Sequence, residues 1–463
     1  MNIPRLLLGA LLVLAADLRG AENLRPNIVM ILADDLGGND VGFNGGKEIK
    51  TPNLDALAAA GARLDAFYVQ PVCSPTRAAL LTGRYPMRHG LQTGVVRPWA
   101  QYGLPLEERT LAQALRDSGY ATAIVGKWHL GHHQPEFLPT RRGFDHQYGH
   151  YNGALDYFTH ERDGGYDWHR NDRENRDEGY STELLGREAV RLIHEREATK
   201  PLFLYVPFNG VHAPYQVPER YSEPYAKFSG KRRTYAGMIA ALDAAVGQIV
   251  GAVKEAGLTR NTLFIFSSDN GGPNPRKITN NGRYRAGKGT VYEGGVRVCA
   301  FATWESQIKP GTVVTEPLHT VDWYPTLLNL AGAKLEQALP LDGRDAWATI
   351  TAGAPSPHDE ILINTAPKGG AIRAGNWKLV INGAATIHED EDDLPSDGAA
   401  DPKTELFNLA EDPSELKNLA ASNPDKVKDL RARYDSYARQ AVAPKSRPKA
   451  KGFQVPKVWG QFE

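Results

Sequence analysis

Short apolar runs alternate along the chain with longer segments that carry apolar residues at helical spacing. Strands are predicted at residues 27–33, 121–125, 201–206, 262–267 and 296–303. Helices are predicted at residues 51–61, 182–197 and 235–256. Strands that alternate with helices in this way are typical of a mostly parallel sheet with helices packed on both faces.

The pattern changes after about residue 350. Short strand signals at residues 360–364 and 377–381 precede an acidic loop at residues 388–393 and a helix near residues 425–440. From Pro444 the chain is rich in Lys, Pro and Gly, a composition that favours loose packing. We therefore predict a large α/β domain at residues 22–350, a small α+β domain at residues 351–443 and a loosely packed tail at residues 444–463.

The first 21 residues have the pattern of a secretory signal. Arg5 precedes an apolar run from Leu6 to Ala16, which is too short to span a bilayer, and small residues follow at Gly20 and Ala21. We expect cleavage near Ala21 and an exported protein, periplasmic or secreted, without membrane attachment once the signal is removed. An uncleaved anchor is the alternative.

The charge of the chain is balanced, with 54 Lys and Arg residues against 54 Asp and Glu residues. A zero net charge does not indicate a nucleic-acid partner or a membrane-surface protein, so a bound anion must be held by a local cluster. The only cysteines are Cys73 and Cys299, which excludes a disulfide framework and leaves one bridge as an open alternative.

Polar residues whose side chains can bind metals or transfer protons follow four of the predicted strands. In chain order these residues are Asp34 and Asp35, then Lys127 and His129, then Asn209 and His212, then Asp269 and Asn270. The carboxyl ends of parallel strands share one edge of a sheet, so we expect these side chains to converge. The carboxylates of Asp34, Asp35 and Asp269 and the amide of Asn270 are oxygen ligands, which suit Ca²⁺ or Mg²⁺ better than Zn²⁺. A turn cap before Gly37 is the alternative for Asp34 and Asp35.

Cys73 opens a short predicted helix in the segment Cys73-Ser74-Pro75-Thr76-Arg77. The start of a helix favours negative charge, and Arg77 lies one turn further on. A lone cysteine in a helix is more often a small core residue. The neighbouring proline and arginine favour a chemical role for Cys73 instead.

This segment resembles the first signature of the type I, formylglycine-dependent sulfatases, with Cys73-x-Pro75-x-Arg77 before Leu81-Thr82-Gly83-Arg84. The segment Gly126-Lys127-Trp128-His129-Leu130-Gly131 resembles their second signature. Further blocks of the family match in order at Asp34-Asp35-Leu36-Gly37, His212-Ala213-Pro214, Asp269-Asn270-Gly271-Gly272 and Lys288 before Glu293-Gly294-Gly295. The likeness covers about residues 25–345, with a weaker match at 405–409. Segments 138–145 and 159–162 are most similar to the arylsulfatase B (N-acetylgalactosamine-4-sulfatase) branch.

The resemblance implies an alkaline-phosphatase-like sulfatase fold and hydrolysis of sulfate monoesters. It also implies that a formylglycine-generating maturation enzyme oxidises Cys73 to an aldehyde, whose hydrate carries two hydroxyls. One hydroxyl attacks sulfur and the alcohol leaves, and deprotonation of the other then expels sulfate and restores the aldehyde. A serine or unmodified cysteine lacks that second hydroxyl and would stall as a sulfated enzyme.

The resemblance also implies a role for each residue of the site. Ca²⁺ is favoured over Mg²⁺, and its implied ligands are residue 73 with Asp34, Asp35, Asp269 and Asn270. Arg77 would position the formylglycine and the metal, and His129 would contact the hydroxyls as a candidate base. Lys127, His212 and Lys288 would bind sulfate, and the last two would protonate the leaving oxygen. Three carboxylates (−3), the cation (+2) and three basic side chains (+3) leave a formal charge of +2 to face the sulfate ester.

One stretch departs from the family pattern. Where relatives of this branch place a serine near the nucleophile, this chain has Asn152, Gly153 and Ala154. Four nearby histidines are candidates to line a sugar pocket, namely His146, His150, His160 and His169.

The expected substrate is a sulfated carbohydrate, with 4-sulfated N-acetylgalactosamine of chondroitin or dermatan as the specific candidate. Three other interpretations stay open. One is a phosphatase or phosphodiesterase of the same superfamily, and another is a glycan-binding protein with an unmodified Cys73. The third is a cysteine hydrolase in which Cys73 works with His129.

Overall fold

The computed structural model of the chain describes residues 25–273, 277–335, 337–366, 369–383 and 403–462. The predicted signal at residues 1–21 and the predicted acidic loop at residues 388–393 lie outside the described residues, so both stay predictions.

The elements follow one another along the chain in the order expected of an α/β protein. The strands are β1 (Asn27–Ala33), β2 (Ala62–Leu64), β3 (Phe67–Tyr68), β4 (Ala121–Lys127), β5 (His146–His150), β6 (Glu161–Arg162), β7 (Gly165–Tyr166), β8 (His169–Arg170), β9 (Arg173–Glu174), β10 (Leu202–Pro207), β11 (Thr262–Ser268), β12 (Arg297–Val298), β13 (Ala300–Thr303), β14 (Thr312–Val314), β15 (Leu318–His319), β16 (Ile361–Ala366), β17 (Gly369–Ala374), β18 (Trp377–Ile381) and β19 (Thr404–Asn408). The α-helices are α1 (Pro52–Ala59), α2 (Cys73–Thr82), α3 (Leu111–Asp117), α4 (Ser181–Glu195), α5 (Glu219–Ser222), α6 (Gly230–Glu255), α7 (Glu293–Val296), α8 (Trp323–Leu330), α9 (Trp347–Ala352) and α10 (Pro424–Ala438).

A ten-stranded sheet forms the centre of the molecule, in the order β14-β2-β13-β11-β1-β10-β4-β5-β8-β9. Its middle strands β11, β1, β10, β4 and β5 run parallel to one another. Antiparallel pairs stand outside them, on β13 at one side and on β8 and β9 at the other. The predicted class, a mostly parallel sheet between helices, is confirmed, with mixed strand directions towards the edges.

The two faces of the sheet carry separate helical layers, and β1 shows why. Its seven residues are all buried and alternate between the faces, as strand geometry requires. Ile28, Met30 and Leu32 pack in a cluster with α2, α3 and α8. Val29 and Ile31 pack in the opposite cluster, with α1, α4 and α6. An apolar run without polar alternation therefore marks a strand covered on both sides.

The predicted strand at residues 296–303 is wrong in one respect. Val296 ends helix α7, and the strand is divided at Cys299 into β12 and β13. The two halves belong to different sheets, because β12 pairs with β3 whereas β13 pairs with β11. The chain changes sheets at this point, which a continuous apolar run does not reveal.

Helix α6 begins at Gly230, before the predicted start at residue 235. Its first turn carries Arg232, whose guanidinium lies 2.7 Å from Asp40 and 3.0 Å from Glu48. By length and composition α6 is also apolar enough to cross a membrane, but 67% of its most apolar window is buried inside the protein. Such burial is what a core helix shows, so this helix is weak evidence for a membrane segment.

A second, four-stranded antiparallel sheet with the order β16-β17-β18-β19 follows the large sheet in the chain. Helix α10 packs on it through Leu430 and Tyr434, which share an apolar cluster with Leu379 and Leu406 of the sheet. This arrangement confirms the predicted smaller α+β unit at the C-terminal side. The predicted boundary near residue 350 stays a prediction, and helix α9 crosses that position.

The last segment of the tail is packed rather than loose. Trp459 is buried, and its backbone N–H donates to the carbonyl of Tyr166 at 2.9 Å. The N–H of Tyr166 in turn donates to the carbonyl of Lys457 at 2.9 Å. Val458 and Trp459 thus attach the end of the tail to the rest of the protein through buried apolar side chains. The loosely packed tail at residues 444–463 stays a prediction as a unit.

Candidate active site

The register of the central strands brings two acidic segments side by side. Ala33 of β1 pairs with Ser268 of β11 in parallel, so Asp34 and Asp269 come next on adjacent strands. The N–H of Asp269 donates to the carbonyl of Ala33 at 3.0 Å and continues this pairing by one step. Asp35 then adopts a left-handed backbone conformation with φ of 63°. This turn ends the strand alternation and lets both carboxylates of the Asp34-Asp35 pair face one site.

Cys73 is the first residue of α2 and is fully buried at the same edge of the sheet. Its Sγ atom lies 3.3 Å from Oδ1 of Asp34 and 3.5 Å from Oδ1 of Asn270. The start of the helix carries the positive end of its dipole, which lies at residue 73. The structure thus places Cys73 beside the acidic residues, as the sequence predicts.

Arg77 connects the helix to both acidic strands from a fully buried position. Its Nη2 atom lies 2.8 Å from Oδ2 of Asp269 and 3.7 Å from Oδ1 of Asp34, and Nη1 donates to the carbonyl of Lys127 at 3.2 Å. Burial alone would lower the pKa of the Arg77 guanidinium, but the charges of Asp269 and Asp34 raise it above its ordinary value. Arg77 is therefore a permanent cation between these carboxylates.

Lys127 ends β4 and forms a buried ion pair with Asp34, with 2.6 Å between Nζ and Oδ2. Burial would raise the pKa of Asp34, but the charges of Lys127, His212 and Arg77 hold it below its ordinary value. Burial and the neighbouring Asp34 charge raise the pKa of Asp269. Two adjacent buried carboxylates repel each other, which makes the surrounding cations necessary.

A second group of side chains surrounds Asp35. The Nζ atom of Lys288 lies 2.8 Å from the Asp35 carboxylate, and Nε2 of His212 lies 3.7 Å from its Oδ2. The side-chain amide of Asn270 donates to Oδ1 of Asp35 at 2.7 Å. Lys288 and His212, which follow different strands in the sequence, are thus brought to the same carboxylate.

His129 contacts Ser74, the residue after Cys73, and is held at three points. Its backbone N–H donates to the carbonyl of Tyr151 at 3.0 Å, and its own carbonyl accepts the Ser74 hydroxyl at 2.8 Å. Its Nε2 atom lies 3.1 Å from the carbonyl oxygen of Val96. A carbonyl only accepts, so this contact places a proton on Nε2 and leaves the lone pair of the neutral ring on Nδ1.

The carboxylates of the site fit a hard divalent cation. The ligand atoms of Asp34, Asp35, Cys73 and His212 all lie within 4.8 Å of one another, and Oδ1 of Asn270 lies 3.5 Å from the thiol. Carboxylate oxygens grouped in this way suit Ca²⁺ or Mg²⁺. Asp269 stands at the edge of this group, because its carboxylate is engaged by Arg77.

Two residues near the site were missed by the sequence reasoning. The Ser74 hydroxyl accepts the N–H of Val96 at 2.9 Å and donates to the carbonyl of His129. It therefore connects the segment that contains Val96 to the segment that contains His129. The Ser268 hydroxyl accepts the N–H of Leu36 at 3.0 Å and donates to the carbonyl of Asn270 at 2.7 Å. Both serines directly precede or follow motif residues, and that adjacency is the signal that could have found them.

The four histidines predicted to line a sugar pocket are packed against neighbouring side chains instead. His150 and His160 both stack on the Trp168 ring, at centroid distances of 6.3 and 4.4 Å. His169 stacks on Tyr151, and His146 lies 2.8 Å from the Glu188 carboxylate. Burial lowers the pKa of His150 to about 3, so its ring is neutral. Aromatic stacking of three of these residues and the contact of His146 with Glu188 are not revealed by the local sequence.

Comparison with known proteins identifies the family. A family model described as Sulfatase matches residues 26–333. The chain belongs to the sulfatase family. This sulfatase is 38% identical to arylsulfatase J of Mus musculus, over 96% of this chain and 81% of that protein. It is 37% identical to N-acetylgalactosamine-6-sulfatase of Mus musculus, over 75% of this chain and 70% of that protein.

Among solved structures, the sulfatase is similar to Ps i-CgsB in complex with k-i-k-neocarrahexaose. The TM-score is 0.82 at 32% identity, over 92% of this chain and 95% of the other. The family and the enzyme class inferred from the signatures are thereby confirmed, as is the sulfatase fold. The likeness to the arylsulfatase B branch stays a prediction.

Proposed function

We propose that this sulfatase hydrolyses sulfate monoesters of carbohydrates through a formylglycine made from Cys73. The observation that carries the proposal is the position of Cys73, at a helix start and 3.3 Å from Asp34. An oxygen nucleophile at residue 73 suits a cation held by carboxylates better than a thiol does, because hard cations prefer oxygen ligands. A cysteine hydrolase that uses Cys73 with His129 stays an alternative to be tested.

The side chains around residue 73 supply the proton transfers that such a reaction needs. In the first step one hydroxyl of residue 73 gives its proton to a neighbouring carboxylate and attacks sulfur, the bond between sulfur and the sugar oxygen breaks, and that oxygen takes a proton from His212 or Lys288. In the second step the other hydroxyl gives its proton to His129, and sulfate leaves as the aldehyde forms again. Water then hydrates the aldehyde. The lone pair on Nδ1 of His129 suits it to the second step.

A divalent cation, Ca²⁺ in preference to Mg²⁺, would be held by Asp34, Asp35, Asp269, Asn270 and residue 73. When bound, it would stabilise negative charge on the sulfate oxygens as a Lewis acid. Arg77 and Lys127 keep Asp269 and Asp34 oriented towards this position through their ion pairs. Lys127, His212 and Lys288 would then contact the sulfate oxygens, which bear the charge that develops during reaction.

The relatives support a carbohydrate as the substrate. One is an N-acetylgalactosamine-6-sulfatase, and a similar solved structure holds a neocarrahexaose. We propose a sulfated sugar, with 4-sulfated N-acetylgalactosamine as the first candidate. We also propose export through the signal at residues 1–21 and modification by a formylglycine-generating enzyme, without attachment to a membrane. A non-catalytic glycan-binding protein and a phosphatase are the alternatives to be tested.

Two measurements on the purified protein test the proposal. Peptide mass spectrometry across residue 73 should show sulfur replaced by oxygen with loss of two hydrogens. Free sulfate should be released from an aryl sulfate and from members of a panel of defined sulfated disaccharides. An unmodified Cys73 in fully active protein would overturn the formylglycine, and inactivity on every 4-sulfated disaccharide would remove that candidate alone. Faster cleavage of aryl phosphate than of aryl sulfate would favour the phosphatase.

A further inference from the structure

Asp167 is a fully buried carboxylate that holds the turn after β5. Oδ1 accepts the backbone N–H of Tyr151 at 2.9 Å, and Oδ2 accepts the backbone N–H and the side-chain amide of Asn152 at 2.8 and 2.9 Å. His169 Nε2 adds a contact at 3.2 Å. Burial would raise the pKa of Asp167, but these hydrogen bonds and the histidine lower it below its ordinary value. Asp167 is therefore an ionised acceptor with four donors around it.

The turn that Asp167 holds also forms backbone hydrogen bonds with the segment that contains His129. The backbone N–H groups of Trp128 and His129 donate to the carbonyls of His150 and Tyr151, both at 3.0 Å. These bonds extend the parallel pairing of β4 and β5 by two residues past Lys127. The position of the His129 backbone is thus tied to the turn whose two N–H groups bind Asp167.

Gly153, the next residue of the turn, lies directly against the His129 ring. A Cβ atom on Gly153 would lie 2.4 Å from Cε1 and 2.6 Å from Nε2 of His129. Contacts that short do not occur, so only glycine leaves the imidazole where it is. The ring is therefore enclosed between Gly153 and the carbonyl of Val96, which lies 3.1 Å from Nε2.

We infer that Asp167 is a positioning residue for His129, acting through the 151–153 turn. This inference rests on the proposed role of His129 as the base that takes the second proton from residue 73. The Asn152 side chain is bound to Asp167 at 2.9 Å, which fixes the turn beside the imidazole.

The test compares Asp167→Asn with a matched control, Asp243→Asn. Asp243 is also buried and accepts two successive backbone N–H groups, those of Asn53 and Leu54, with the side-chain amide of Asn53. It holds the start of α1 rather than the turn beside His129. Replacing either carboxylate by an amide puts an NH₂ group opposite an N–H donor, so both variants should lose comparable thermal stability.

We expect Asp167→Asn to lower kcat for an aryl sulfate by about 10- to 100-fold with little change in KM, because a misplaced base affects turnover more than binding. Asp243→Asn should keep the kcat of the wild type. The imidazole signal of His129 in ¹³C-histidine NMR spectra, assigned with His129→Gln, should move in Asp167→Asn and not in Asp243→Asn. Equal kcat and an unchanged His129 signal in both variants would overturn the inference.

Two safeguards keep this test decisive. If Asp167→Asn does not fold, Asn152→Ala takes its place, because it removes the side-chain bond between the turn and Asp167. A wild-type kcat with an unmoved His129 signal in that variant would again refute the inference. The NMR readout does not need turnover. A wild-type enzyme that releases no sulfate would therefore refute the proposed function, whereas the His129 signal would still decide the role of Asp167.

Discussion

The Sγ atom of Cys73 lies 3.3 Å from Oδ1 of Asp34, although 39 positions separate the two residues along the chain. Asp34 follows a central strand, and Cys73 begins a helix that packs on one face of the same sheet. Their contact joins the candidate nucleophile to the candidate metal ligands, so the first prediction concerns residue 73.

Cys73→Ala should abolish turnover while leaving the fold intact, because the thiol occupies a buried position in which a methyl group also fits. Cys73→Ser should accept sulfate once and then stall, since its single hydroxyl cannot expel the sulfate. Intact mass spectrometry after incubation with an aryl sulfate should show a stable sulfate adduct in the serine variant only. Multiple turnovers by either variant would contradict the mechanism.

Lys288→Met should lower kcat by about 10²- to 10³-fold when measured with Ca²⁺ present. The change removes a positive charge that would stabilise the negative charge developing on the sulfate oxygens. Lys378→Met is a matched control, since Lys378 of β18 also pairs with a carboxylate at 2.8 Å, but its partners are Glu293 and Glu415 instead of a carboxylate of the candidate metal site. Lys378 is fully buried between Glu293 and Glu415. Its loss should cost about 3–5 kcal/mol of unfolding free energy and leave the kcat of the folded enzyme much closer to that of the wild type. The reverse pattern would contradict both assignments.

Removal of divalent cations should lower both activity and thermal stability. A cation that binds only the folded protein adds about 2.7 kcal/mol at a concentration 100 times its Kd. Thermal unfolding in excess chelator and in excess Ca²⁺ measures this difference. Asn270→Ala removes one neutral oxygen and should shift the stabilisation to higher Ca²⁺ concentration. Identical unfolding curves with and without Ca²⁺ would argue against the site.

The raised pKa of Glu415 should make the stability of the protein depend on pH. Burial raises its pKa to about 7, although the charge of Lys378 opposes that effect, and its ordinary value is 4.5. Between these values the folded protein binds a proton at Glu415 that the unfolded chain does not, so stability falls as pH rises. The difference corresponds to about 3 kcal/mol. Denaturant unfolding from pH 5 to 8 should show a flatter dependence for Glu415→Gln than for the wild type, and parallel curves would contradict the assignment.

Local patterns predicted the elements that position the site. The apolar runs at residues 27–33 and 262–267 coincide with β1 and β11 within one residue, because a strand buried on both faces needs an uninterrupted apolar run. The acidic pairs that follow them needed only the assumption of a parallel sheet. The strand at 296–303 failed because one apolar run served two sheets.

The sequence by itself determined which polar residues follow which strands, the Cys73 motif and the family. Each of these depends on residues that are neighbours in the chain. Only the tertiary structure decided which partner each charge has. Asp167 and Gly153 show the difference, because their relation to His129 arises from bonds between β4, β5 and a distant loop. Contacts with Trp168, Tyr151 and Glu188 likewise hold the four histidines that the sequence offered as candidates for a sugar pocket. Periodicity records which face of an element is buried, whereas contacts between side chains depend on how whole elements pack together.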